Sequence, residues 1–328
     1  MTWMTWRQFR MQLLVAATAL AAVAVYLLVS GFQLRDAYHN DVATGSNLSQ
    51  FTSQYDLPYY FGSALVLVVP GLIGAFWGAP LIARELETGT HRLVWNQSIT
   101  RTRWLTVKLL FVGAVAVATA GLLSLLVSWF AAPVDRINDN RFIPLLFGAR
   151  GIVPLGYAAF AVALGACVGL LVRRTVPAMA VTLVVFVAVQ FLMPLVVRPH
   201  LESPARSDVA LTAETMRSAS LIGFTNGTGP NAPFVADLGV PGAWVLSGAE
   251  QVQNSSGRAV TMATEPCEHA GGADAFQSCL AKADFHVAVS YQPADRYWTF
   301  QWYETAIFLA LTAGLAGFSM WWLRRRLA

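Results

Sequence analysis

Residues 11–32 read MQLLVAATALAAVAVYLLVSGF, a predominantly apolar run without one charged side chain. A bilayer hydrocarbon core about 30 Å thick is crossed by ~20 residues of α-helix, so this stretch is long enough to span. Five more runs of that kind follow, at about 59–82, 105–131, 152–172, 176–197 and 302–323. Hydrophobic residues make up 56% of the 328 and charged residues 12%, and the core of a soluble domain has no need of six such runs. The sequence therefore predicts an all-α polytopic membrane protein with six transmembrane helices and a small mixed α/β extracellular domain between helices 5 and 6.

Arg7 and Arg10 precede the first run in the manner of a secretory signal. The run is long for a signal peptide and five spans follow it, so an uncleaved anchor is the better reading. Orientation comes from Lys and Arg. With both termini cytoplasmic, the inner segments hold Arg7, Arg10, Arg84, Arg92, Arg101, Arg103, Lys108, Arg173, Arg174, Arg324, Arg325 and Arg326. Just over half of the 22 basic residues then crowd into about 45 positions, as the positive-inside rule requires. Trp302 and Tyr303 open the last run and Trp321 and Trp322 close it, about 30 Å apart along a helix and so at the two headgroup levels. Trp3, Trp6 and Phe9 recur at every third position, which suits an interfacial helix over 1–10.

Three segments fall outside the membrane on this reading: about 33–58, about 133–151 and the long one over 198–301. In the second, Ile143–Phe147 is apolar but too short to span and is expected to lie on the outer surface. In the third, Phe285, Val287, Val289 and Tyr291 alternate with small or polar residues, the period-2 pattern of a half-buried strand. Ala243–Leu246 and Ala259–Met262 are further short strand candidates, and Ala273–Ala283 reads as a helix. Cys267 and Cys279 sit here on the oxidising face, whereas Cys167 lies inside the fourth span; a disulfide between the first two is expected. A zinc site from Cys267, His269, Cys279 and His286 is the competing reading, with a spacing that matches no established ligand pattern. Asn254-Ser255-Ser256 is formally a glycosylation sequon. With Arg outnumbering Lys twenty to two and Ala abundant, the composition points to a GC-rich bacterial genome in which the sequon is idle.

The chain has no G-x-x-x-x-G-K-[ST] phosphate loop, no H-E-x-x-H and no G-x-S-x-G. Ionisable residues inside a membrane mark function, and the six runs are nearly free of them. Gln190 in span five and Glu304 at the edge of span six are the candidate pathway residues, with snorkelling the plain account of Glu304. No acidic relay of a proton-coupled carrier is visible. Gly74 and Gly78, Ala114 and Ala118, and Gly165 and Gly169 each place two small residues one helical turn apart, which lets helices approach closely, either within the chain or between two copies.

The segment 83–108, AREL ETGTHRLVWNQSIT RTRWLTVK, mixes charges at helical spacing around a Gly, with Thr100 placed to cap a new helix. It forms a cytoplasmic elbow. Here the chain resembles the permease subunits of the type-2 ATP-binding-cassette exporters. These show a Glu-x-x-x-Gly-Thr element, then a Ser/Thr-Arg turn and a Lys entering the third span. The matching positions are Glu85, Gly89, Thr90, Thr100, Arg101 and Lys108, and the usual Pro before the turn is Gln97. Tyr291–Trp302 is similar to actinobacterial members with a large outer loop before the last span.

The resemblance implies a bacterial plasma-membrane subunit with no catalytic or metal site and no cofactor of its own. ATP and Mg are bound by separate ATPase subunits, and the permease pairs with a second copy or a related permease; no nucleic acid is involved. Arg84, Glu85, Glu87, Gly89, Thr90, Arg92, Thr100, Arg101, Arg103 and Lys108 are the expected ATPase-coupling residues, with Arg173 and Arg174 in a second cytoplasmic elbow. The expected domains are 1–10, 11–197 with the elbow at 83–108, 198–301, and 302–328 with a basic tail. The expected activity is ATP-driven export of hydrophobic drugs, antibiotics or lipid-like compounds. A membrane sensor or assembly protein whose outer domain binds a ligand or partner is the competing function.

Overall fold

The computed structural model describes residues 2–44, 48–90, 100–138, 141–217, 219–224, 229, 231–240, 242–262, 267 and 273–326. Among these, six helices are long and apolar enough to cross a membrane: Leu13–Asn40, Tyr55–Glu87, Arg101–Arg136, Val153–Val172, Thr175–His200 and Ala294–Arg325, named here the first to sixth spans. The chain divides into two compact units, the helical bundle and a smaller unit made mostly of residues 202–297.

In the bundle, residues 2–10 run into the first span as one helix, Thr2–Thr44. At ~1.5 Å per residue that helix is about twice as long as the hydrocarbon core is thick. The fourth span is the central element, with 78% of its window buried against 6% for the first and 17% for the fifth and sixth. Its small residues explain the position. The space for a Cβ on Gly165 lies 2.3 Å from the Gly74 carbonyl oxygen and 2.7 Å from Ala79 N, and that on Gly169 2.5 Å from the Ala79 oxygen. Only hydrogen fits between the second and fourth spans, so backbone meets backbone. The Gly74/Gly78 and Gly165/Gly169 pairs thus face each other within one chain, whereas Ala114 and Ala118 are exposed on the third span.

Two π turns interrupt the spans, at Gly74–Gly78 and Met193–Val197. In each, the next residue's N–H bonds a carbonyl five positions back, Ala79 to Gly74 and Arg198 to Met193. A proline follows at once, Pro80 or Pro199. Proline has no N–H to give to the carbonyl four residues back and its ring crowds that carbonyl; the wider turn is where each helix takes up the mismatch.

Ile143–Phe147 departs from the surface position expected for it. Pro144–Ala149 forms a short helix whose Leu146, Phe147 and Ala149 are buried. Gln301 of the sixth span donates from Nε2 to the Phe147 carbonyl (3.1 Å). Its Oε1 accepts from Ile152 N (3.1 Å) and Val153 N (3.2 Å), which satisfies two donors at the start of the fourth span. The partners of this apolar pentapeptide lie far along the chain, so its local sequence does not show that it is buried.

The smaller unit holds an antiparallel sheet of β1 (Ala205–Ala210), β2 (Leu221–Phe224), β3 (Phe234–Asp237), β4 (Trp244–Val245), β5 (Glu250–Gln253) and β6 (His286–Gln292), in the order β1-β6-β5-β3-β2, with β4 also on β6. The alternation over 285–291 does form a strand, with Val287 and Val289 buried. Ala259–Met262 forms no strand, only isolated bridges from Ala259 to Gln253 and from Thr261 to Pro233. The helix Ala273–Lys282 places Leu280 in a core with Phe234, Val252, Val260 and Phe285.

Cys267 and Cys279 are disulfide-bonded, with Cα atoms 5.8 Å apart, and Cys167 is a buried free thiol. Closing so short a loop stabilises a domain by about 3 kcal/mol in the chain-entropy model. Alkylation of the denatured, unreduced protein followed by intact-mass measurement should tag one cysteine and leave two masked. Three tags, or stoichiometric metal, would contradict the pairing.

Candidate coupling elbow and membrane cavity

The second span continues past its π turn as Ala79–Glu87, and Gly89 ends the helix with φ +72°. That left-handed position after the last turn is where glycine is favoured. Thr88 donates from N (3.0 Å) and from Oγ1 (2.8 Å) to the Arg84 carbonyl, and the Thr88 and Thr90 hydroxyls lie 3.0 Å apart. The third span begins at Arg101. Thr100 Oγ1 accepts from Arg103 N at 3.4 Å, and Thr100 O from Trp104 N at 3.1 Å, the arrangement of an N-cap. Arg92, with the rest of 91–99, lies outside the described residues.

Two acidic side chains tie this helix to other spans. Glu85 forms an ion pair with Lys108 of the third span, and Lys108 is only 5% exposed. The Lys108 ammonium also donates to the Leu81 carbonyl (3.3 Å) and stands 4.6 Å from the centre of the Trp104 ring. Glu87 Oε2 accepts from Thr175 N (2.9 Å) and Thr175 Oγ1 (2.7 Å). A carboxylate at the first turn of the fifth span meets free N–H groups and the positive end of the helix dipole. The turn feeding that helix is tight, with Arg173 at φ 56° and both Arg173 and Arg174 exposed. Arg84 and Arg103 are exposed as well, and Arg101 is half-buried. The first elbow is therefore fastened to the third span by Glu85 and to the fifth by Glu87.

Toward the other end of the bundle lies an apolar cavity of about 560 Å³, walled mainly by the second and fifth spans. Gln190, Tyr157 and Arg198 supply its polar side chains. Glu304 does not snorkel: it is fully buried, and it pairs with Arg198, itself 1% exposed. Arg198 Nε donates to Glu304 Oε2 (2.9 Å) and Nη2 to Oε1 (3.2 Å), while the Tyr157 hydroxyl donates to Oε1. The guanidinium carbon also lies 4.1 Å from the centre of the Phe147 ring. Glu304 thus meets the fourth and fifth spans without facing the cavity, whereas Gln190 does face it.

The π turn brings Gln190 and Arg198 together. Eight residues of uninterrupted α-helix would leave them about 80° apart around the axis; one extra residue in a wider turn reduces that to ~20°. A second polar set, largely buried, joins the second and third spans to Arg150. Arg150 Nε is 3.5 Å from Asp135 Oδ2 and Nη1 donates to Ser63 Oγ (3.2 Å), while the Tyr59 hydroxyl donates to Asp135 Oδ1 (2.6 Å). Sequence reading missed Arg198, Tyr157, Arg150, Asp135 and Tyr59. The arginines and Asp135 fall where spans end, and no local pattern separates a basic span end from a buried ion pair.

The fold and these ion pairs define a multi-pass membrane protein whose inner charges are paired across spans. A family model described as ABC-2 membrane transporter related matches residues 17–198, more than half of the 328-residue chain. The chain belongs to that family and is an ABC-2 type transporter membrane component. The match runs from within the first span to within the fifth and takes in the elbow and every residue lining the cavity. No curated protein and no solved structure matches the chain.

Proposed function

We propose that this chain is the membrane-spanning subunit of an ATP-driven exporter, with the ATP-binding sites and their Mg on separate ATPase subunits. The supporting observation is the double fastening of the elbow, Glu85 to Lys108 and Glu87 to Thr175. A push on the elbow is then felt by the third and fifth spans together, and the fifth lines the cavity. Such coupling requires contacts that differ between two states, and Glu87, exposed and held by one helix terminus, is placed to make and break. The basic residues put the elbow and both termini in the cytoplasm of a bacterial plasma membrane. The smaller unit and its disulfide then face the oxidising side. The chain works with a second copy or a related permease. Its cargo is a hydrophobic small molecule, because the cavity wall is almost wholly carbon.

Purified alone, the chain is expected to turn over no ATP. Reconstituted with its ATPase subunit it should support hydrolysis that disappears when the partner's catalytic residues are replaced. Hydrolysis by the rigorously pure single chain would overturn the assignment. Replacing Glu87 by Ala should leave the complex assembled and lower the stimulation of hydrolysis by cargo; stimulation equal to wild type would remove Glu87 from the coupling route.

A further inference from the structure

We infer that the cavity between the second and fifth spans binds a neutral amphiphile, an apolar body bearing one hydrogen-bond acceptor such as an ester or amide carbonyl, held by Nη1 of Arg198. The inference extends the proposed function by naming a ligand class for its cavity. Binding is measured without ATP or partner, so one can fail while the other stands.

The volume, about 560 Å³, lies in the range of about 300–1,000 Å³ that takes drug-sized ligands. Val68, Gly71, Phe186, Val187, Phe191 and Leu195 belong to its apolar wall. Among the described residues Arg198 is the one charged lining residue, and its guanidinium is only partly used. Nε and Nη2 are taken by Glu304, and Nη1 is buried with no hydrogen-bond partner among the described residues. A buried donor left unmatched is unfavourable where no water can reach it, and an acceptor entering from the cavity removes that penalty.

The charge balance selects the kind of acceptor. Arg198 and Glu304 already cancel, so a carboxylate or phosphate would add an uncompensated charge to a cavity whose wall is almost wholly apolar. A neutral carbonyl satisfies Nη1 and leaves the balance at zero. Gln190, brought to the same face by the π turn, offers an amide to a second polar group on the ligand.

The test uses the full chain in nanodiscs of ether-linked phosphatidylcholine, which has no ester carbonyl, and a diazirine-bearing long-chain fatty-acid methyl ester as photoprobe, with labelled peptides mapped by mass spectrometry. The probe should label the fifth span. Unmodified methyl ester should displace it at a concentration at least ~10-fold lower than the matching free acid under mildly alkaline conditions, or than the matching alkane, the margin expected for one well-placed hydrogen bond. Val187→Trp fills the cavity without touching the ion pair and should reduce labelling of the fifth span to background. Arg198→Met with Glu304→Leu removes both charges and should erase the ester-over-alkane preference. Equal displacement by ester and alkane, stronger displacement by the acid, or unchanged labelling of the Val187→Trp protein would each overturn the inference. Should the double variant fail to fold, the competitor series and Val187→Trp decide it.

Discussion

Arg198→Met is expected to destabilise the bundle by about 3–5 kcal/mol, the cost typical of removing one partner from a buried ion pair. Glu304 would be left at 0% exposure without its cationic partner, the Tyr157 hydroxyl remaining as its described hydrogen-bond donor. Glu304→Leu should be nearly as harmful, because it strands the guanidinium. The double variant Arg198→Met/Glu304→Leu should recover most of the loss, since replacing both charges by apolar groups of similar size is often close to neutral. Thermal unfolding of the four proteins in one detergent, followed by the loss of a monodisperse peak, gives the comparison. Additive destabilisation in the double variant would show that the two side chains are not a pair.

Gly165→Ala carries the other large effect. Its methyl group would meet backbone on every side, with Gly74 O, Ala79 N and Gly78 C all within 3 Å. No side chain can swing away, so the second and fourth spans must part, and the cost should reach or exceed the ~1–3 kcal/mol usual for overpacking. Gly113→Ala is the matched control: nothing lies within 4 Å of that position. There the change should be neutral or slightly favourable for the helix. Equal yields and equal melting temperatures for the two variants would contradict the packing described here.

The six spans were legible because length and hydropathy are local properties, although the first and second helices extend through most of 33–58, the segment expected outside the membrane. So was the strand at 286–292, whose alternation is set by one buried face. What the sequence concealed was pairing at a distance. Glu87 reads as a surface charge on a cytoplasmic elbow, yet it caps a helix that begins 88 positions later. Glu304 reads as a snorkelling side chain because Arg198, its partner, sits just past the expected end of the fifth span. Regular helical phase also misplaces Arg198, since the π turn before Pro199 rotates it into the bundle. Gly74 and Gly165 announced close packing, but only the fold shows that they pack on each other.

The place of Glu87 also changes which residues probe docking cleanly. Reversing Glu87 would disturb the start of the fifth span, so a loss of partner binding could not be assigned to the elbow surface. Arg84 and Arg103 are exposed at the same elbow. Losing a charged contact whose partner becomes buried at an interface costs about 2–5 kcal/mol, enough to dissociate a complex during purification. The most direct test of the account is affinity purification of the wild-type chain and of Arg84→Glu/Arg103→Glu from the native membrane, with quantitation of co-purifying ATP-binding-cassette ATPase. The account predicts stoichiometric ATPase with wild type and its loss from the double reversal at unchanged expression and monodispersity. No ATPase with the wild-type chain, or the same amount with both, would contradict it.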